Sequence, residues 1–557
     1  MTIAETGFGA LRHAERAAPP VPGPGERLSR TVRALTLVEG WRRTFVALLA
    51  GGLIGLAHAP FDFPFVLFVA FPVLVLLIDG MAAGETGLRG RLLSPLWVGW
   101  CFGFAAHWSG LWWLGNALVT SGAGPVWLAP VAGAALSALL ALFTAAAVLV
   151  ARQFWTAGTA RILALGAAWG IAEWLRAEIA TGFPWNAIGY AMMPNEWLMQ
   201  SVALVGMDGM NIGTVWAAAA VILLFERRTR ILGFAIPVLL LGAHAGFGAW
   251  RLSGAVTEDS GTTVRVVQPA IAQNEKWDEA ARVEIFRTLL DLSAPSDEAA
   301  GRPDIIVWPE TAFPFVLSET PEALAVLGDV LDEGQTLLAG GVRTEGLGAG
   351  RLWFNSLFAI DAEGRVMATR DKVHLVPFGE YLPLPNLMDR LGLSKIVESP
   401  GDFTAATRRE TLALLGGPVL LPLICYEVIF PRGMGAVGER PNVIVNVTND
   451  AWFGETPGPW QHMRQARIRS VETGLPMIRA ANDGVSAVVD PYGRIVAGLR
   501  HGERGAFDAM LPDSINAEFL SWRALPWVWL LAGFAFAMIC GEAWRDRRVG
   551  ELTRNPL

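Results

Sequence analysis

DKVHLVPFGEYLPLP, residues 371–385, sets a lysine and a glutamate into an otherwise apolar run that ends in a proline-rich turn. The lysine is unusual in this chain. Only Lys276, Lys372 and Lys395 occur among 44 basic residues, and all the others are arginine. Lysine is a compact point charge whose pKa moves on burial, whereas arginine is a planar fork that keeps its charge. A surviving surface lysine is the plain reading of Lys372, and a site that needs a point charge is the other. The surrounding sequence decides between them.

Working outward, short β-rich runs cover 263–268, 304–308, 336–342, 353–361, 418–424, 442–448 and 485–490, many bounded by Gly, Pro, Asn or Asp. Helical patterns at 276–293 and 461–473 lie between them, which predicts an α/β domain. Three runs end in polar residues that a plain core would not choose. VWPET (307–311) carries Glu310, RDKVHLVPFGEY (370–381) carries Lys372 and Glu380, and LICYEVIF (423–430) carries Cys425, Tyr426 and Glu427. Taken singly, these are a helix-start charge, a solvated lysine and an inert packed thiol. Buried polar groups are costly unless paired, and strand ends are where α/β folds place ligands. Together they offer a nucleophile, a base for its proton, and a cation for an oxyanion.

The rest of the chain is of another kind. Of the 557 residues 53% are hydrophobic and only 17% charged, against about a quarter in soluble domains, and the mean hydropathy is +0.40. A bilayer span takes about twenty apolar residues. The candidates are 43–59, 62–79, 95–116, 125–151, 161–177, 201–225, 231–250 and 526–544. With the N-terminus in the cytoplasm, eight spans put Arg89/Arg91, Arg152/Arg161, Arg227/Arg228/Arg230 and Arg545/Arg547/Arg548 on that same side, as the positive-inside rule requires. The α/β domain then lies outside. The division expected is a disordered cytoplasmic tail at 1–40, seven transmembrane helices at 41–250, the outer domain at 251–520, a last span at 521–545 and a cytoplasmic tail at 546–557.

The net charge of −7, with no basic patch, gives no nucleic-acid signal. Cys101 and Cys540 fall inside predicted spans, where a thiol packs as a small apolar residue. Cys425 is alone in the outer domain, where cysteines usually pair, and is flagged as a reactive thiol.

WPE, DKVHLVPFGEY and ICYE resemble the Glu-Lys-Cys constellation of the nitrilase superfamily, and more narrowly its membrane-embedded branch, the apolipoprotein N-acyltransferases. Further stretches that carry the resemblance are GFPWNAIGY (182–190), KWDE (276–279), FNS (354–356) and NVTNDAWFGETPGPWQH (446–462). The resemblance implies a multi-pass helical membrane domain of about eight spans with an extracytoplasmic αββα sandwich. It also implies acyl transfer from a membrane phospholipid to the α-amine of a diacylglyceryl-modified apolipoprotein, through a thioester. By the same resemblance Cys425 is the nucleophile, Glu310 the base and Lys372 the oxyanion cation. Glu380 supports them, Tyr426 and Glu427 flank the nucleophile, and Trp277 and Asn355 shape the pocket. No cofactor or metal is expected. The setting implied is the bacterial inner membrane, catalytic domain on the periplasmic face, as a monomer.

Residues 382–397 bring Leu387, Met388, Leu391 and Ile396 after two prolines, either as an ordinary helix or as an arm dipping into the membrane surface. Trp452, Phe453 and Trp460 are either interfacial anchors or core. Two rival functions stand beside acyl transfer: a membrane-tethered amidase or nitrilase acting on small amides, and a transporter with an accessory domain. The second should show intramembrane charges, and only Asp208 and the Glu173/Arg176 pair come near.

Overall fold

The computed structural model describes residues 24–84, 87–120, 122, 124–276, 278–294, 302–383, 385–390, 402–515 and 525–554. Helices lie over each predicted apolar segment: α2 (Gly40–Gly52), α3 (Leu67–Gly84), α4 (Ser94–Leu111), α5 (Leu128–Gln153), α6 (Thr159–Glu178), α7 (Val202–Ala220), α8 (Arg230–Ser253) and a final helix, Trp527–Arg554. Four stretches are long and apolar enough to cross a membrane: Pro64–Met81, Leu128–Gln153, Val202–Phe225 and Arg230–Ser253. The others are shorter or more polar; α6, for example, carries the Glu173–Arg176 pair. The bundle buries Leu74, Phe102, Leu165 and Val215 at its centre. Gly51 of α2 lets that helix close on α4, since a Cβ there would lie 2.0 Å from the Phe102 carbonyl oxygen.

Two features differ from expectation. Within the tail predicted to be disordered, Pro24–Thr36 forms a helix, α1. The proline-rich segment ends at Pro24, which sits where a helix tolerates proline, and Val32 and Leu35 pack against the bundle. Cys540 is exposed on the final helix, whereas Cys101 is buried, because only part of that helix's surface meets its neighbours.

The α/β domain holds two six-stranded sheets. The first comprises β1 (Asp259–Gln268), β2 (Ile305–Val307), β3 (Thr336–Glu345), β4 (Leu352–Ile360), β5 (Val366–Asp371) and β12 (Gly505–Pro512), in the order β12-β1-β2-β3-β4-β5. The second comprises β6 (Leu412–Ala413), β7 (Val419–Ile424), β8 (Val443–Asn449), β9 (Met477–Asn482), β10 (Ser486–Val489) and β11 (Ile495–Leu499), in the order β11-β10-β9-β8-β7-β6. β1, β2 and β3 run parallel, as do β7, β8 and β9. The period of two along the strands sorts the core. Val266, Val307, Leu338 and Leu357 face the second sheet's Leu421, Leu423 and Val445. Their neighbours Val267, Ile306, Leu337 and Phe358 meet α9 (Arg282–Ser293) and α10 (Pro321–Val330).

On the second sheet lies α11 (Gly458–Thr473). Met463 and Ala466 of α11 join the sandwich core. Ile468 and Val471 join the core of the helical bundle. Polar contacts fasten the same seam: Arg464 pairs with Asp62 at 2.8 Å, and Gln461 donates to the Ala59 and Gly110 carbonyls at 3.1 and 3.2 Å. The domain is thus helix, sheet, sheet, helix, with its last layer set into the bundle.

Candidate active site

Cys425 follows β7 directly and opens a one-turn helix at φ +54°, a left-handed backbone that only glycine adopts freely. Thr311, next to Glu310, and Phe378, between Lys372 and Glu380, share this strain at φ +46° and +62°. Cys425 and Glu310 therefore sit where the chain turns away beyond β7 and β2, whereas Lys372 extends β5 directly, its N–H donating to the Asn355 carbonyl at 2.8 Å. Packing makes this possible at Glu310. A Cβ on Gly340 of β3 would lie 2.6 Å from the Glu310 Cα, so glycine is what admits the WPE segment against the strand.

The side chains converge in the interior, with Glu310 at 6%, Lys372 at 1% and Cys425 at 8% exposure. Glu310 Oε1 accepts from Asn355 Nδ2 at 2.8 Å and from Lys372 Nζ at 3.3 Å, and its Oε2 accepts from the Asn449 backbone N–H at 3.0 Å. Lys372 Nζ also donates to Glu380 Oε1 at 3.0 Å, which Asn355 Nδ2 reaches at 2.8 Å. Glu380 is fixed in turn by the Val376 N–H on its other oxygen, 2.8 Å. One lysine and one amide thus bridge two carboxylates, which is how a site keeps buried charges at tolerable cost.

Electrostatics separate the roles. Burial opposes ionisation of Glu310, but Lys372, the Asn355 amide, Lys276 and the Cys425 thiol outweigh it and hold the carboxyl below its usual range. Burial also opposes the charge on Lys372, but Glu380 and Glu310 overcome it and keep the ammonium protonated. Burial and the Glu310 charge push the Cys425 thiol up, against the pull of Lys372. At neutral pH the resting pair is a carboxylate beside a neutral thiol, an arrangement for general-base activation rather than a standing thiolate.

Glu427 ties the parts together. Its Oε1 accepts from the Val373 and His374 N–H groups at 2.9 and 3.0 Å and from Arg409 at 2.7 Å, and its Oε2 accepts from the Ile424 N–H at 2.7 Å. One side chain therefore clamps the chain after Lys372 and the chain before Cys425. Tyr426 donates to the Gly182 carbonyl of the bundle at 2.9 Å; burial pushes its phenol up, so it remains a donor.

Of the residues singled out by sequence, Glu310, Lys372, Glu380, Asn355, Cys425, Tyr426 and Glu427 all meet here, while Trp277 lies outside the described residues. Sequence reasoning left Lys276 without a role. It is 3% exposed and donates to the Glu310 backbone carbonyl at 2.9 Å, and burial lowers its pKa to about 8. The scarcity of lysine was the available signal. Phe453 is partly buried and packs against the sandwich core, edge-on to Trp113 at 4.8 Å, while Trp460 is 39% exposed. Of the 382–397 stretch only the short helix Pro385–Arg390 and residues 382–383 are described, so Leu391 and Ile396 lie outside. A cleft of about 510 Å³ borders Glu427 and Arg409 but neither Cys425 nor Lys372. It is not where the reactive groups meet. Among the described residues no group of His, Cys, Asp and Glu could hold a metal ion.

Comparison with known proteins gives two family matches. A profile described as carbon-nitrogen hydrolase covers residues 263–516, and one described as apolipoprotein N-acyltransferase N-terminal domain covers 50–220. The chain is 51% identical over 494 residues to an apolipoprotein N-acyltransferase of Brucella suis biovar 1 (strain 1330), covering 87% of this chain and 93% of that one. It is 46% identical over 517 residues to the one from Agrobacterium fabrum (strain C58 / ATCC 33970), covering 92% and 97%. Among solved structures, a mutant of the Nesterenkonia AN1 amidase from the nitrilase superfamily is 22% identical, with a TM-score of 0.32, over 48% of this chain and 96% of that one.

Proposed function

The chain belongs to the apolipoprotein N-acyltransferase family, and from that membership we propose how its buried site carries out lipoprotein N-acylation. Cys425 Sγ attacks the ester carbonyl of a membrane glycerophospholipid as Glu310 takes the thiol proton. The tetrahedral oxyanion forms beside the Lys372 ammonium. It collapses by expelling the lysophospholipid alkoxide, which leaves with the proton from Glu310, and the acyl group remains on sulfur as a thioester. In the second half the α-amine of a diacylglyceryl-modified cysteine attacks that thioester. Glu310 accepts the amine proton and returns it to the departing sulfur, and the product is an amide. Glu380 and Asn355 hold Lys372 and Glu310 in register, and Glu427 holds the two loops.

The eight helical segments serve as eight spans, with the sandwich on the periplasmic face of the inner membrane and one chain as the working unit. The arginines gathered at alternate segment ends support this orientation. Two lipid substrates explain so large a membrane domain, since a single span would anchor the sandwich.

The observation that carries the mechanism is the sharing of Lys372 between Glu310 and Glu380, beside a thiol that burial keeps protonated. The test is mass spectrometry of the purified protein incubated with phospholipid alone. An acyl adduct on Cys425 is expected in the native chain, and none in Cys425→Ala. Acyl transfer persisting in Cys425→Ala would rule out the thioester route.

A further inference from the structure

Behind the nucleophile, β8 continues alongside the turn that Cys425 begins. Parallel pairing of β7 with β8 sets Leu423 against Asn446 and Ile424 against Val447. Continuing that register by one residue brings Thr448 abreast of Cys425. Asn446, two residues back and on the same face, already reaches the turn, with Nδ2 2.8 Å from the Leu423 carbonyl and 3.4 Å from that of Cys425. Thr448 Oγ1 donates to Asp450 Oδ1 at 3.0 Å.

Asp450 is generously supplied with donors. His462 Nδ1 stands 2.8 Å from its Oδ1, and Arg479 donates to its Oδ2 at 2.8 Å. Thr448, Asp450, His462 and Arg479 are all wholly buried. Asp450 therefore keeps two strong partners without the threonine, and the Thr448 hydroxyl hydrogen is free to be redirected. The sulfur has the opposite need. As a thiol it needs no donor, but as a thiolate in a dry site it does, and Lys372 is already shared by two carboxylates.

We propose that Thr448 is a further catalytic residue: its hydroxyl turns from Asp450 to donate to Cys425 Sγ as Glu310 removes the thiol proton. No other group enters the step. The proton passes from sulfur to the Glu310 carboxylate, and the Thr448 hydrogen changes acceptor without leaving its oxygen. The electrostatics agree, since the Thr448 hydroxyl favours the thiolate, whereas burial, Glu310 and Asp450 oppose it. The proposal rests on Cys425 being the nucleophile described above.

The test measures iodoacetamide alkylation of Cys425 against pH in the purified full-length protein, with the modified peptide identified by mass spectrometry. Alkylation follows the thiolate fraction. Removing a hydrogen bond to a charged group should slow it about tenfold or more at neutral pH in Thr448→Val, with the midpoint moved to higher pH. Thr448→Ser should restore both. If the valine variant does not fold, Thr448→Ala against Thr448→Ser gives the same comparison, since these two differ in the hydroxyl. A valine profile that superimposes on the native one overturns the proposal, as does a serine variant as impaired as valine. Failure of the nucleophile assignment would look different: no acyl adduct from phospholipid, whatever the alkylation profile.

Discussion

Lys372 is where charge geometry is most exacting. Its Nζ sits between Glu310 and Glu380 at 3.3 and 3.0 Å, with 1% of the residue exposed. A guanidinium there would have to spread over both carboxylates or displace one, and its charge would lie off the oxyanion. Lys372→Arg should therefore lower the rate of thioester formation on the order of 10²–10³, the scale of losing one oxyanion donor; a near-native rate would place the cation elsewhere. Lys276 makes a subtler contribution. Its charge helps hold Glu310 ionised, so Lys276→Gln should raise the carboxyl's pKa. The base would then be lost sooner as pH falls, and the acid limb of the rate profile should move to higher pH. An unmoved limb would leave Lys276 with only a packing role. The scarcity of lysine made residue 372 legible from sequence. It did not do so for 276, whose burial depends on a loop with no strand pattern to mark it.

At the level of elements, the site depends on strands that stop where a turn can reverse. Gly340 shows how tight that is. A Cβ would lie 2.5 Å from the Pro309 oxygen as well as against the Glu310 Cα. Gly340→Ala should cost about 1–3 kcal/mol of stability through overpacking and, by shifting the base, about 10²-fold in thioester formation. Rate measurement alongside thermal unfolding checks both, and a stable variant with native rate would show that Glu310 tolerates displacement. Seven strands were readable as β-rich runs because their apolar residues alternate or cluster. β9 was not, since MIRAAN buries Arg479 and Asn482 in polar pairings that only the folded neighbours supply. β5 was missed for the opposite reason: VMATRD lies at a sheet edge, partly open to solvent. Helix α1 was missed because proline content was extended past Pro24, where it no longer applies.

At the scale of the whole molecule, the apolar segments and their flanking arginines were legible, and the way the two halves lock together was not. The orientation proposed has a direct check. A reporter fused after Arg228 should read cytoplasmic and one inserted near Gly348 periplasmic; both on one side would refute it. The locking has a consequence of its own. Helix α11 lends Met463 and Ala466 to one core and Ile468 and Val471 to the other, so neither half has a complete interior without it. A sandwich cut away from its bundle would bare Ile468 and Val471 as apolar surface, and the bundle would lose the two residues that complete its core. The sandwich is therefore no detachable module. The polypeptide must complete its lipid-embedded part and its water-facing part as one cooperative object, and a defect in either is felt as instability in both.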